Sequence, residues 1–236
     1  MNIIITMGGR GSRFKKAGYN VEKYMIEAKG HTLFYWSMIS LEDFFYDNFI
    51  FIVKKEDNAS EFIKKSCKEL NIQNYKIVEI DHITDGQATT VLAAKPYCKE
   101  SDPIIIYNID TYVEKSGFKK SDFKGDGFIP CFYGKGDHWS FVKIDEEGKA
   151  VEVREKNRIS PNCTLGLYYF KTMKLYEELY KECYIQDNNL EAGERYIAPM
   201  YNYLIKRGGH VYISIVEQSI IHVLGTPEEL EEFKKI

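Results

Sequence analysis

The chain has 236 residues, which is enough for one large domain with a substantial buried core. Its formal net charge is −3 and its lysines are spread along the sequence, so nucleic acid is not expected as a partner. Its five cysteines lie far apart without a CxxC pair, and no apolar run reaches the roughly 18 residues that span a bilayer. We therefore expect a cytoplasmic protein with reduced thiols and no membrane insertion.

A glycine-rich loop follows the first predicted strand. Residues 2–6 form an apolar, β-branched run typical of a buried strand, and residues 8–12 then read Gly-Gly-Arg-Gly-Ser. Such a loop can place backbone N–H groups around an anion, and Arg13 and Lys23 add positive charge beside it, which predicts a triphosphate site. The loop lacks the end of a Walker A motif, and Phe14 occupies the last glycine position of a GxGxxG motif. The residues predicted to hold the nucleotide here are Met7, Gly8, Gly9, Gly11 and Ser12.

The next segments alternate between predicted helices and predicted strands. Thr32 can cap a helix over residues 33–41, and residues 58–70 carry their apolar side chains on one stripe of a second helix. Residues 49–53 and 75–80 are strand-like. This alternation predicts an α/β fold with a mostly parallel sheet and helices on both of its faces.

Two loops in this half carry polar side chains suited to a ligand. Residues 84–90 include Gly86, which a flat ligand can approach, and Gln87, which offers a donor and an acceptor to a nucleobase edge; the pattern also fits a loop with a helix cap. Asp110 follows a predicted buried strand over residues 104–107, where ligands gather in open α/β sheets. Its carboxylate is a hard oxygen ligand of the kind that Mg²⁺ prefers, so Asp110 is predicted to bind the metal, with a turn aspartate as the alternative.

The pattern becomes strand-rich in the second half of the chain. Its predicted strands span residues 125–132, 139–144, 151–154 and 210–216. Its predicted helices span residues 173–183 and 193–206. Residues 145–148 predict a hairpin turn, and Thr226, Pro227 and Glu229 predict a capping box at the start of a last helix.

Four segments together resemble the sugar-phosphate nucleotidyltransferase family, the NDP-sugar pyrophosphorylases. They are GGRGSRF from residue 8, EKYMIEAKGHTLFYW from residue 22, VREKNRISPNCTLGLYYF from residue 153 and GTPEE from residue 225. The resemblance implies a three-layer, Rossmann-like (GT-A-like) α/β fold. Its sheet would be mixed and mostly parallel, with helices on both faces and a strand-rich elaboration that binds the acceptor.

The resemblance also implies a role for each predicted site residue. Arg13 would hold the departing pyrophosphate and Lys23 would offset charge at the α-phosphate, so both are assigned as catalytic. Gly86 and Gln87 would read the base, and Asp110 would hold Mg²⁺. The acceptor-binding residues that it implies are Lys156, Gly166 and Glu194.

The chain departs from the family pattern at four positions. Glu22 and Asn157 replace prolines, and Asn108 stands where a two-carboxylate DxD motif would have its first acid. Val223 replaces an aspartate that supplies the second carboxylate to the metal in the family. Mg²⁺ would then be held by the remaining aspartate with nucleotide phosphates and water, or by another carboxylate such as Glu217.

The function implied is Mg-dependent transfer of an NMP from a nucleoside triphosphate to a phosphorylated small molecule, most simply a sugar 1-phosphate. A cytidylyltransferase acting on a phosphocholine-like phosphate, a GT-A glycosyltransferase and a nucleotide-binding module without catalysis are the alternatives. The resemblance further implies a role in capsule or surface polysaccharide biosynthesis and leaves a homo-oligomer open. We expect one domain over residues 1–236, with a nucleotide-binding half over 1–115 and an acceptor-binding half over 116–236.

Overall fold

The computed structural model describes residues 1–115 and 117–236 as an α/β fold. Its strands are β1 Asn2–Thr6, β2 Glu27–Ala28, β3 His31–Thr32, β4 Asn48–Lys54, β5 Tyr75–Ile80, β6 Ile104–Asn108, β7 Thr111–Val113, β8 Gly127–Tyr133, β9 Ser140–Ile144, β10 Ala150–Glu155, β11 Asn162–Thr164, β12 Leu167–Phe170, β13 Val211–Ile215 and β14 Ile221–Val223. Its α-helices are α1 Ser12–Lys16, α2 Leu33–Ile39, α3 Ser60–Glu69, α4 Gln87–Val91, α5 Met173–Tyr180, α6 Met200–Lys206 and α7 Pro227–Lys235. Residue 116, at which the two predicted halves meet, lies outside the described residues.

A ten-stranded sheet runs through the molecule in the order β10-β9-β11-β8-β12-β6-β1-β4-β5, with β13 paired to β8. In the first half of the chain β1 runs parallel to β4 and β6, and β4 runs parallel to β5. Strands β8 to β12 pair antiparallel, whereas β13 runs parallel to β8. The predicted mixed α/β sheet is confirmed, and its change from parallel to antiparallel pairing follows the predicted change to a strand-rich second half.

The apolar run of β1 explains its central position in the parallel part. Ile3, Ile4 and Ile5 are wholly buried. Because successive strand side chains point to opposite faces, Ile3 and Ile5 pack into one core cluster and Ile4 packs into another on the other face. A strand that is apolar on both faces therefore requires cover on both faces, as parallel sheets generally do.

Two helix starts follow the predicted caps. Thr32 accepts a hydrogen bond from the Tyr35 N–H at 3.2 Å before α2, and Thr226 accepts one from the Glu229 N–H at 3.2 Å before α7. Each threonine satisfies a backbone donor that the first helical turn leaves unpaired. Local chemistry is sufficient to determine both starts.

The predicted helix over residues 193–206 is wrong in its first half, because α6 begins only at Met200. The preceding segment forms turns and a loop that bonds to another loop: the Arg195 N–H donates to the Asp85 carbonyl at 2.9 Å, and the Ala88 N–H donates to the Arg195 carbonyl at 3.0 Å. These tertiary hydrogen bonds replace the helical ones. The predicted helix over 173–183 is α5, and it continues as a π-helix over Lys181–Gln186.

All five cysteines are free thiols, as predicted, and four of them are buried. Burial raises the pKa of the Cys67 thiol to about 12, so this side chain packs as a small apolar group. Within residues 1–115 and 117–236, no helix is long and apolar enough to cross a membrane.

Candidate active site

A cleft of about 590 Å³ opens beside the carboxyl ends of β1 and β6, where open α/β sheets bind their ligands. Its lining comes from six separate parts of the chain: residues 6–14, 22–24, 83–87 with 90, 108–110, 193–194, and 225. The cleft therefore brings together all seven predicted nucleotide-binding residues, both predicted catalytic residues and the predicted metal ligand.

The glycine loop forms one wall of this cleft, and its backbone N–H groups are available to a ligand. The N–H groups of residues 8–13 donate to no backbone carbonyl in the part of the chain that the structure describes. Gly11 adopts a left-handed φ of 59°, which glycine tolerates best, and a side chain at Gly8 would press against Ile80 at 3.2 Å. Arg13 is exposed at the start of α1. The loop thus presents free donors and positive charge to an anion.

Lys23 and Asp110 form an ion pair at the floor of the cleft. Lys23 Nζ lies 2.8 Å from Asp110 Oδ2, and the ammonium also lies 5.6 Å from the ring of buried Phe14. The two side chains are 16% and 33% exposed, so a ligand in the cleft can reach both of them. The structure therefore places a positive charge beside the carboxylate predicted to bind the metal.

A buried network anchors the chain next to Lys23. The Tyr24 hydroxyl donates to Asp57 at 3.2 Å, and Asp57 also pairs with Lys54 at 2.8 Å. Burial raises the pKa of Tyr24, which keeps its hydroxyl protonated as the donor. This network connects the Lys23 segment to the carboxyl end of β4.

Glu22 takes the place of the family proline without changing the backbone. Its φ is −63° and its ψ is 146°, which are dihedral angles that proline itself adopts. Its carboxylate lies 3.1 Å from the ammonium of Lys15 in α1. Glu22 therefore keeps the backbone conformation that leads into Lys23. It also adds an ion pair with α1, the helix that follows the glycine loop.

Gln87 lies at the base of the cleft and is tied to two strand ends. Its amide nitrogen donates to Thr6 at 3.0 Å and to Asn108 at 2.7 Å. Gly166 supports this arrangement from behind, because a side chain on it would overlap the Asn108 amide, and its φ is 72°. The space that Gly166 leaves is filled by Asn108, and Gly166 is not part of the cleft wall.

Gly86 is packed against the backbone of Arg195. A side chain at Gly86 would overlap Arg195 backbone atoms, and its φ of 149° also favours glycine. The Arg195 guanidinium lies 3.1 Å from Asp85. The predicted base-reading loop is thus held by the segment that sequence patterns had assigned to a helix.

A crystal structure of the nucleoside-diphosphate-sugar pyrophosphorylase from Vibrio cholerae RC9 is 35% identical to this chain, covers 100% of both chains and superposes with a TM-score of 0.92. The chain belongs to this family of nucleotidyltransferases. No family model and no curated protein matches the sequence.

Two more distant solved structures share the fold. The inositol-1-phosphate CTP transferase from T. maritima is 17% identical, with 99% of this chain and 93% of that chain covered and a TM-score of 0.80. A putative glucose-1-phosphate thymidylyltransferase from Bacillus anthracis in complex with a sucrose is 18% identical, with 100% and 94% covered and a TM-score of 0.78.

The acceptor-binding residues predicted for this nucleotidyltransferase are less closely grouped. Glu194 lines the cleft and is exposed, whereas Lys156 lies outside the lining. Lys156 donates to the Tyr196 hydroxyl at 2.5 Å, and its ammonium lies 4.4 Å from the Tyr196 ring centroid. Because Tyr196 is only two residues from Glu194, Lys156 belongs to the rim next to the cleft. The role of all three predicted acceptor residues stays a prediction.

The closing segment of the nucleotidyltransferase reaches the predicted metal ligand. The Leu224 N–H donates to the Asp110 carbonyl at 2.8 Å, and Val223 pairs with Thr111 across β14 and β7. Gly225 then passes beside the Asp110 carboxylate. Four residues later, Glu229 has a buried Oε2 without any hydrogen-bond partner among the described residues. Hard oxygen donors of this kind suit Mg²⁺.

Sequence reasoning missed three members of this site. Asn108 was treated only as a missing acid, although its amide binds Gln87. Arg195 was placed in a helix, and Glu229 was assigned only to a helix cap. The contacts of Asn108 and Arg195 join positions far apart in the chain, and the burial of Glu229 Oε2 depends on the packing around α7, so no local pattern identifies the three.

Proposed function

We propose that this nucleotidyltransferase moves an NMP from a nucleoside triphosphate to a small phosphorylated acceptor, most simply a sugar 1-phosphate, and releases pyrophosphate. The observation that carries the proposal is the Lys23–Asp110 pair at 2.8 Å, which lies in one cleft with the free N–H groups of the glycine loop. A triphosphate in that cleft has donors for its phosphates and a cation for its reacting centre.

The reaction needs no nucleophilic side chain, because the acceptor phosphate is already an anionic nucleophile. Its oxygen attacks the α-phosphorus, the bond from the α-phosphorus to the bridging oxygen breaks, and pyrophosphate leaves with that electron pair. The N–H groups of residues 8–13 and the Arg13 guanidinium hold the leaving group, and Lys23 offsets charge at the α-phosphate. Alignment and charge stabilisation are therefore the main contributions of the protein.

Asp110 holds Mg²⁺ in this proposal. An ion held there would supply positive charge that stabilises the phosphate oxygens during the transfer. Lys23 Nζ lies 2.8 Å from Asp110 Oδ2, so the carboxylate holds the ammonium in the cleft, where it would reach the α-phosphate. Asp110 thus positions Lys23 before the substrate arrives.

Gly86 and Gln87 are proposed to read the base. The Gln87 amide nitrogen is already bound to Thr6 and Asn108, so its carbonyl oxygen is the group left to accept from a base. Glu194 and Lys156 are proposed to bind the acceptor at the other end of the cleft. Activated precursors for surface polysaccharide and a cytoplasmic location stay predictions from the family.

The proposal is tested by measuring pyrophosphate release with each nucleoside triphosphate against a panel of sugar and non-sugar phosphates. We expect release with one preferred triphosphate and a sugar 1-phosphate, in the presence of Mg²⁺ and not of EDTA. Consumption of a nucleotide sugar without pyrophosphate would indicate a glycosyltransferase. Tight nucleotide binding without turnover of any acceptor would indicate a binding module, and either result would overturn the proposal.

A further inference from the structure

Glu229 has a buried carboxylate oxygen, Oε2, for which the described residues provide no partner, although the side chain as a whole is partly exposed. It is the third residue of α7, and its N–H is satisfied by Thr226 at 3.2 Å. Its carboxylate oxygen Oε2 is buried and accepts no hydrogen bond from residues 1–115 or 117–236. A capping box would turn this carboxylate back to the Thr226 N–H, and that bond is not formed. Because an unpartnered buried carboxylate oxygen is costly, its position calls for a ligand.

Gly225 shows what this oxygen faces. The point at which a Gly225 Cβ would stand lies 3.2 Å from Glu229 Oε2, 3.6 Å from Asp110 Oδ2 and 3.9 Å from Lys23 Nζ. The two carboxylate oxygens are therefore no farther apart than the sum of the first two distances. Glycine leaves the space between them open, and Lys23 pairs with Asp110 but not with Glu229.

We propose that Glu229 is the second carboxylate of the divalent-cation site, replacing the aspartate that the family pattern places at Val223. The inference rests on the proposed function, because it assigns Asp110 as the first carboxylate. Two carboxylates lie near a single ammonium here, which leaves one net negative charge for a cation to offset. Mg²⁺ commonly uses one or two carboxylates and completes its shell with water and phosphate oxygens.

The position of Glu229 at the start of α7 is compatible with this role. The helix start is already capped by Thr226, and Glu229 Oε2 lies beside Gly225, which lines the cleft. Val223 pairs with Thr111 in the β14–β7 ladder, beside the same carboxylate. Glu229, six residues after Val223, thus supplies the carboxylate that Val223 lacks. The absence of a side chain at Gly225 leaves the space between Glu229 and Asp110 open.

The test is Mn²⁺ binding, measured by electron paramagnetic resonance of free Mn²⁺ with inorganic pyrophosphate present and without acceptor. Glu229→Gln keeps the shape of the side chain and removes its charge. We expect it to weaken Mn²⁺ binding by about tenfold or more, and to leave the melting temperature in EDTA unchanged or raised, because an unpaired buried charge is removed. Glu228→Gln is the matched control, since Glu228 is exposed in the same helical turn.

The outcomes separate this inference from the proposed function. Asp110→Asn is expected to lose Mn²⁺ binding, and the double variant with Glu229→Gln is expected to bind no worse than Asp110→Asn. If Glu229→Gln alone binds like the wild type, or lowers the melting temperature without changing binding, Glu229 is only a capping residue and the inference is wrong. If the wild type binds no Mn²⁺, or Asp110→Asn binds normally, both the proposed metal site and the inference about Glu229 are wrong.

Discussion

The buried ion pair between Lys54 and Asp57 supports the site, and substitutions in it test how the site is stabilised. Lys54 is 4% exposed, and its ammonium lies 2.8 Å from Asp57, whose side chain is 2% exposed. Burial alone would lower the pKa of Lys54, but hydrogen bonds to Asp57 and Glu56 outweigh it and raise the pKa. Lys54 is therefore charged in the folded protein at neutral pH.

Lys54→Met removes the ammonium and leaves Asp57 as a buried charge with only the Tyr24 hydroxyl beside it. Breaking a buried pair in this way costs about 3–5 kcal/mol, a large share of the roughly 5–15 kcal/mol that stabilises a domain. For a chain of this size, that cost corresponds to a fall in melting temperature of about 6–20 °C.

The assay is urea and thermal unfolding of Lys54→Met, Asp57→Asn and the double variant. Because the double variant leaves no unpaired charge, its loss of stability is expected to be smaller than the sum of the single losses. Lys55→Met is the matched control, since its side chain is 69% exposed in a surface ion pair worth about 1 kcal/mol or less. A Lys54→Met protein within about 1 kcal/mol of the wild type, or strictly additive variants, would refute the reasoning.

Four further substitutions probe the site and its support. Lys23→Ala should lower the rate of pyrophosphate release by orders of magnitude at an unchanged melting temperature, and near-normal turnover would contradict its assignment. Gln87→Ala should change the preference among triphosphates more than the response to acceptor; equal losses with every base would show that it does not read the base. Gly166→Ala should destabilise by at least about 1–3 kcal/mol in urea, because φ is 72° and the new methyl overlaps Asn108. Burial raises the pKa of Glu155, so the unfolding free energy should fall as pH rises from about 4.3 through the raised pKa, and Glu155→Gln should flatten that slope.

Much of the nucleotide-binding half was predictable because its signals are local. The strand over residues 2–6 was predicted with its observed bounds, and so was the strand over 75–80. The caps at Thr32 and Thr226 depend on a side chain and an N–H three residues away. Such rules need no knowledge of the remaining fold.

The side-chain contacts within the site join residues far apart in sequence, so local sequence patterns do not predict them. Gln87 meets Thr6 at a sequence separation of 81 residues, and Lys23 meets Asp110 at 87. The false helix start at 193 illustrates the same limit, because Arg195 exchanges hydrogen bonds with the loop around Gly86. Tertiary pairing outweighed a weak local preference there.

The sequence by itself determined the reaction class, the buried strands and the glycine loop, because their residue types are chemically restricted over a few neighbouring positions. Only the tertiary structure decided that Lys23 and Asp110 form one pair, and that the Gly166 space is occupied by Asn108. It also brought the buried oxygen of Glu229 beside Gly225. The physical reason is that side-chain partners in a cleft are chosen by which strand ends and helices meet, and that arrangement follows from packing of the whole sheet.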